Sequence, residues 1–188
     1  EWKMSNTPLN TGAWRSVYES QNRFATECFI DEVAHELGRD PLDLRLELLE
    51  GEDARLQAVL KKAADAIGWG RSMPKGRGLG IACTHCFGGR LAHAAEVEVA
   101  SDGTIRVHRV ESAIDSGWAV YPDGVRQQLE GGVALALSVA LGEEITVEGG
   151  VVQQRTFTDY PILTFDQHPE VNVHIIDGGE PIGGVGEP

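Results

Sequence analysis

The sequence predicts an α+β fold, with a helical first third, a strand-rich remainder and one further helix packed within that remainder. Two observations carry this expectation. Apolar residues recur every three or four positions up to Gly68, and beyond Gly78 the period drops to two except over Pro122 to Leu141. Helices first and strands later is the order of an α+β chain rather than of alternating units.

Each element has its own local signals. From Arg23 to Leu37 the apolar residues Phe24, Cys28, Ile30, Val33, Ala34 and Leu37 share one helical face, and Gly38 is placed to end the helix. Asp40-Pro41 reads as an N-cap followed by Pro at the first helical position, opening "PLDLRLELLE", which Gly51 closes. Asp53 caps a third helix with Leu56, Val59, Leu60, Ala63 and Ile67 on one face and Gly68 just past its end. "GWGRSMPKGRG", Gly68 to Gly78, is a linker by its glycines and proline. "AHAAEVEVA" and "TIRVHRVESAID" then alternate apolar and polar residues on either side of the turn "SDG", Ser101 to Gly103. Pro122 to Leu141 forms the later helix, with Val125, Leu129, Val133, Ala136, Leu137 and Ala140 inward despite Gly131 and Gly132. "EITV", the turn "EGG", "VVQQRTFT" and "VNVHIID" complete the strands. The division is therefore a helical segment 1–68 and a strand-rich segment 69–188, expected to form one structural unit.

With 188 residues the chain can build one substantial core, and its 41% apolar and 24% charged residues are ordinary for a globular protein. Sixteen basic against 29 acidic residues give a formal charge of −13, which repels a phosphate backbone and argues against nucleic acid as a partner. The most apolar stretch, Val133 to Leu141, is far shorter than the roughly 20 residues of a membrane helix. Three cysteines do not make a disulfide scaffold. The chain opens on "EWKMSNTPLN", with neither an initiator Met nor a charged-then-apolar leader, so the natural N-terminus is expected further upstream and the compartment, cytoplasmic or periplasmic, is not readable.

Several short runs could carry chemistry. "CTHC", Cys83 to Cys86, has the spacing of a zinc half-site or a redox dithiol, but the only other cysteine, Cys28, sits alone in a helix and "FGGRLAH" leads into another strand. We read the run as a chance spacing in or near a strand, and His85 and His93 as surface or core histidines. "IDSGWAVYPDGV" is sufficiently explained as a strand-to-helix connection. "GAWRSVYESQNRF" places an aromatic–Arg pair directly before a helix N-terminus, where unpaired N–H groups favour anions or oxo ligands. "EPIGGVGEP", with Gly183, Gly184 and Gly186, suits a loop pressed against something.

In order along the chain, "GAWRSVYESQNRFATECFIDEVAHELGRDPLDLRLELL", "GRGLGIA", "AEVEV", "RVHRVESAIDSGWAVYPDGVRQQLEGGV", "DYPIL" and "GGVGEP" together resemble the molybdenum-binding subunit of the xanthine dehydrogenase and aldehyde oxidase family. Within that family the likeness is to the bacterial isoquinoline 1-oxidoreductase β-subunit type, from about Thr11 to the end. The resemblance implies a molybdenum hydroxylase that oxidises an aldehyde or an N-heterocycle with oxygen derived from water. It puts Glu187 at the catalytic glutamate, where a carboxylate must take the proton of the attacking oxygen. It puts Trp14, Arg15, Ser16, Gly184 and Gly186 near the cofactor, and Val17 and Tyr18 on the substrate side. Val17 stands where purine-oxidising members carry a stacking aromatic, which argues against a purine.

The resemblance further implies molybdopterin, as its cytosine dinucleotide, and a separate iron–sulfur subunit as electron acceptor. The sequence has no Gly-Gln-Gly segment and no iron–sulfur cysteine spacing, so it reads as a fragment of a larger molybdopterin-binding domain, completed by the remainder of the same catalytic subunit. By itself it is expected to hold neither metal nor cofactor, and to be inactive. The competing readings are a non-catalytic module that keeps the fold as an interaction surface and, more weakly, a metal or redox site at "CTHC".

Overall fold

The computed structural model describes residues 12, 14–179 and 181–186. Three helices come first: α1 (Glu19–Glu36), α2 (Pro41–Leu48) and α3 (Ala54–Ile67). Strands β1 (Arg77–Cys86), β2 (Gly89–Val99) and β3 (Ile105–Asp115) follow, then α4 (Pro122–Leu141), the two-residue strands β4 (Val147–Glu148) and β5 (Val151–Val152), a 3-10 turn over Phe165–Gln167, and β6 (Glu170–Ile175). The main sheet has the order β1-β2-β3-β6, antiparallel through β3 and parallel between β3 and β6. The architecture is mixed helix and strand, as the sequence predicts.

The caps explain the helix bounds. Asp40 accepts the N–H groups of Leu42 and Asp43 at the start of α2, and Asp53 accepts that of Leu56 at the start of α3. Gly68 ends α3 at φ +76°, a left-handed conformation that a Cβ disfavours. Phe87 and Gly88 both take positive φ, +47° and +83°, which closes β1 onto β2 in the tight turn that matches strand twist.

The sheet is covered on both faces. On one, Leu56, Val59, Leu60, Ala63, Ala64 and Ile67 of α3 pack on Ile81, Ala92, Ala94 and Ala113. The alanines let the helix approach closely, and each fully buried Leu, Val or Ile contributes roughly 1.5–3 kcal/mol. On the other face Val125, Leu129 and Val133 of α4 pack against Val107, Val110 and Ile114, with Val171, Val173 and Ile175 of β6 alongside.

Three expectations need correction. The apolar face predicted for the first helix is fully buried only at Ala34: Phe24 is 74% and Leu37 59% exposed, Cys28 is exposed, and Ile30 and Val33 are half-buried. The residues that α1 buries are Glu27 and Ala34, because it lies along the edge of β1, whose outward N–H and C=O groups require polar partners. Glu27 accepts from the Cys83 N–H and Arg23 donates to the His85 carbonyl. In α4, Ala136 and Ala140 are exposed. Of "EITV" and "VVQQRTFT" only Val147, Val151 and Val152 are strand; β4 takes in Glu148 of the expected turn and joins β5 through Gly149 and Gly150.

Candidate functional site

The run Trp14 to Tyr18 forms a tight loop ahead of α1. The Val17 N–H donates to the Trp14 carbonyl at 2.9 Å and the Glu19 N–H to the Ser16 carbonyl at 2.9 Å. Ser16 and Val17 take φ of +68° and +56°. For a β-branched residue this is a strained conformation, costing of order 1–3 kcal/mol, and such strain concentrates at functional sites. Tyr18, the N-cap, makes no side-chain cap bond, and with the Glu19 N–H taken by Ser16 the first-turn N–H groups of Ser20 and Gln21 are left to water or a ligand.

Arg15 anchors this loop to α4. Its guanidinium donates to the Gln128 carbonyl at 3.0 Å and to Gln128 Oε1 at 3.2 Å. It lies over Gly131 and Gly132, where an added Cβ would come within 3.8 and 3.5 Å of it. The glycine pair that weakens the helix is the platform for the arginine.

The glycine-rich segment near the end docks on the β1–β2 turn and the end of β3. The Gly183 N–H donates to the Ser116 carbonyl and the Gly184 N–H to the Phe87 carbonyl, both at 2.8 Å. A Cβ on Gly183 would lie 2.6 Å from the main chain at Gly88 and Gly89, so only glycine fits. Val185 packs with Ile114, Val125 and Leu129. Upstream, Gly178 crosses Asp115, where a Cβ would fall 2.5 Å from both carboxylate oxygens. Asp115 is buried, accepts from Arg55 Nε at 2.8 Å and NH2 at 2.6 Å and from the Gly117 N–H at 2.9 Å, and the Arg55 guanidinium holds its carboxyl below the usual range.

Residues 14–18 thus meet α4 through Arg15 at Gln128, and the 183–186 segment packs through Val185 on the cluster to which α4 contributes Val125 and Leu129. Trp14, Val17, Tyr18, Gly184 and Gly186 are exposed, while Arg15 and Ser16 are partly buried. Glu187 lies outside the described residues. Two concavities lie elsewhere: about 370 Å³ beside Ile145, Phe157 and Tyr160, and about 270 Å³ between α1 and the sheet, lined by Phe24, Cys28, Cys83 and His93 among others. No local signal in the sequence marks Gln128, Arg55 or Gly178, and Asp115 stands in a run that reads as an ordinary strand-to-helix connection.

"CTHC" is the end of β1. Residues three apart on a strand face opposite sides, so the two thiols diverge. Burial pushes the Cys83 thiol up to about 12, the reverse of a reactive cysteine. His93 is a core histidine whose Nδ1 lies 2.8 Å from Ser112 Oγ, and burial pulls it down to about 4.

The sheet is thus covered by a helix on each face, with a strained Arg loop tied to α4 and a glycine-rich segment seated on the β1–β2 turn and the end of β3. Residues 84–169 match the sequence profile of the molybdopterin cofactor-binding domain. The chain is 36% identical over 177 residues to the isoquinoline 1-oxidoreductase subunit beta of Brevundimonas diminuta, covering 92% of this chain and 22% of that protein. It is 31% identical over 204 residues to the membrane-bound aldehyde dehydrogenase [pyrroloquinoline-quinone] of Gluconacetobacter polyoxogenes, covering 98% and 26%. The fold superimposes on the aldehyde oxidoreductase of Desulfovibrio desulfuricans ATCC 27774 with a TM-score of 0.73 at 15% identity, over 93% of this chain and 37% of that one. The chain belongs to the molybdopterin-binding xanthine dehydrogenase and aldehyde oxidase family. It spans about a quarter of the length of these curated relatives.

Proposed function

We propose that this chain is part of the catalytic subunit of a molybdenum hydroxylase that oxidises an aldehyde or an N-heterocycle with oxygen derived from water. The observation that carries the reading is the pairing of the strained Trp14–Tyr18 loop, held on α4 by Arg15, with the Gly183–Gly186 segment, whose Val185 packs on the cluster that β3 and α4 share. The relatives' names, one an N-heterocycle oxidoreductase and one an aldehyde dehydrogenase, support the substrate class. One of those names carries a quinone instead, and the match to the molybdopterin profile decides in favour of the pterin.

The residues present fit such a cofactor. A pterin dinucleotide requires hydrogen-bond donors and close main-chain approach, which the first-turn N–H groups of Ser20 and Gln21 and glycines without Cβ supply. Trp14, Arg15, Ser16, Gly184 and Gly186 are the residues proposed to hold it, in the cytosine dinucleotide form. When bound, the group supplies the metal centre and the redox chemistry. This chain's part is to position and to move a proton. Glu187, as general base, takes the proton from the oxygen that attacks the substrate carbon, and Val17 and Tyr18 border the substrate.

The partners that follow are the remainder of the catalytic subunit and an iron–sulfur subunit. Exposed Trp118, Tyr121, Phe157 and Phe165, the last 98% accessible, support a covering protein surface. The test is molybdenum and pterin analysis of the enzyme containing this chain, with turnover on an aldehyde and on an N-heterocycle. Bound molybdopterin with turnover supports the reading; a folded protein that holds neither makes the chain a non-catalytic module.

A further inference from the structure

We propose that the outer edge of β6 is a docking edge for an extended strand supplied by the remainder of the catalytic subunit, which carries the sheet on beyond β6; the choice of partner rests on the functional reading above. The sheet order β1-β2-β3-β6 leaves two edges, and the chain treats them differently. At β1 the edge is closed by α1, whose Glu27 accepts the Cys83 N–H and whose Arg23 donates to the His85 carbonyl. The β6 edge has no such cover among the described residues. The Ile176 N–H donates to the Ile114 carbonyl, so the alternation of a strand turns the N–H and C=O groups of Asn172 and His174 toward β3 and those of Val171, Val173 and Ile175 outward. No hydrogen bond among the described residues takes up these outward groups.

The edge is a preformed template without the usual guards. Buried Glu111 fixes its register: Oε1 accepts Asn172 Nδ2 at 3.1 Å, and Oε2 lies 2.8 Å from His174 Nε2. Proteins blunt an edge that faces water with Lys, Pro, a bulge or a very short strand. β6, "EVNVHI", has six residues, neither Lys nor Pro, and an unbroken register with β3. Its side chains set the chemistry of the incoming strand. Val171, Val173 and Ile175 lie half-buried on the α4 side, and exposed Glu170 stands with Asn172 and His174 on the other. A strand that fits therefore alternates, with apolar residues continuing the α4-side cluster and a Lys or Arg opposite Glu170. The chain spans about a quarter of the length of its curated relatives, and the further length of such a subunit is ample to supply the strand. A second copy is disfavoured, since it brings another formal charge of −13 to an edge that opens on Glu170.

The test follows amide hydrogen exchange, resolved residue by residue by fragmentation mass spectrometry, in the whole catalytic subunit containing this chain. Val171, Val173 and Ile175 should exchange at least about 10²-fold more slowly than in an unstructured peptide, in step with the inward-facing Asn172 and His174. A benzophenone side chain introduced at Glu170 then captures the neighbour on irradiation, and the crosslinked peptide should come from the same polypeptide outside residues 1–188. Val173→Pro removes an outward donor and leaves the ladder to β3 intact, so it should speed exchange of Val171 and Ile175 by at least about tenfold with Asn172 and His174 still protected. Rapid exchange at Val171, Val173 and Ile175 in the unmutated subunit overturns the docking edge, as does unchanged protection of Val171 and Ile175 in Val173→Pro. A crosslink to a second copy or to a different polypeptide overturns the choice of partner and with it the proposal. Molybdenum and pterin content of the same sample keeps the two readings apart. Protected outward amides in a subunit that holds neither overturn the functional reading and leave the docking edge standing; rapidly exchanging outward amides in a loaded, active enzyme do the reverse.

Discussion

The Glu27 carboxylate takes two donors through one oxygen: Oε2 accepts the Cys83 main-chain N–H at 3.0 Å and Arg45 Nε at 2.9 Å. This joins α1 to the edge of β1 and neutralises an arginine whose side chain is 1% exposed. Glu27→Ala should therefore cost about 2–4 kcal/mol, since it leaves a buried guanidinium with only Asp31 as a charged partner. Urea unfolding would show this as a lower midpoint at unchanged slope. A loss below about 0.5 kcal/mol would mean that α1 is held by something other than this contact.

His93 gives the protein a defined acid sensitivity. Burial lowers it from the usual 6.5 to about 4. Between those values the unfolded chain binds a proton that the folded chain does not, so stability is full above pH 6.5 and falls as the pH drops. The loss is at most about 3 kcal/mol. His93→Gln should flatten the stability curve between pH 6.5 and 4, and an unchanged slope would place the titration elsewhere.

The three cysteines should react in a fixed order. Cys28 is exposed, Cys86 is buried, and the Cys83 thiol is raised to about 12, chiefly by burial and then by the Glu27 charge. Iodoacetamide at pH 8 should modify Cys28 in the folded protein and all three after unfolding. Equal labelling of Cys83 and Cys28 in the native state would contradict the packing of α1 on β1.

Gly131 lies inside α4 with room for a methyl group, the nearest neighbour being the Arg15 guanidinium at 3.8 Å from an added Cβ. Gly131→Ala should raise stability by about 0.5–1 kcal/mol through helix propensity, with the Arg15 contacts kept. A destabilised variant would show that the guanidinium sits closer to the helix than this geometry allows.

Local signals were legible where one element satisfies its own requirements. In α3 the cap Asp53, the apolar stripe and the terminal Gly68 agree, and the bounds of α4 follow from Pro122 and the glycine after Leu141. What remained hidden depends on partners distant in sequence. The apolar stripe of α1 points to a buried face, but the edge of β1 selects Glu27 instead, and no periodicity carries that choice. The parallel pairing of β3 with β6 spans more than fifty residues, and the grip of Arg55 on Asp115 spans sixty. Ser16 and Val17 stand in a run that the sequence marks by resemblance, whereas their positive φ emerges only from the folded loop.

Whether Glu187, which follows the glycine-rich run, is the general base is read from turnover per bound molybdenum in Glu187→Gln. Gln keeps the size and reach of Glu without useful basicity near neutral pH, so cofactor content should stay near that of the parent while turnover falls by about 10²- to 10⁴-fold. Turnover per molybdenum within a few-fold of the parent, on the aldehyde or N-heterocycle that the parent oxidises, would contradict it.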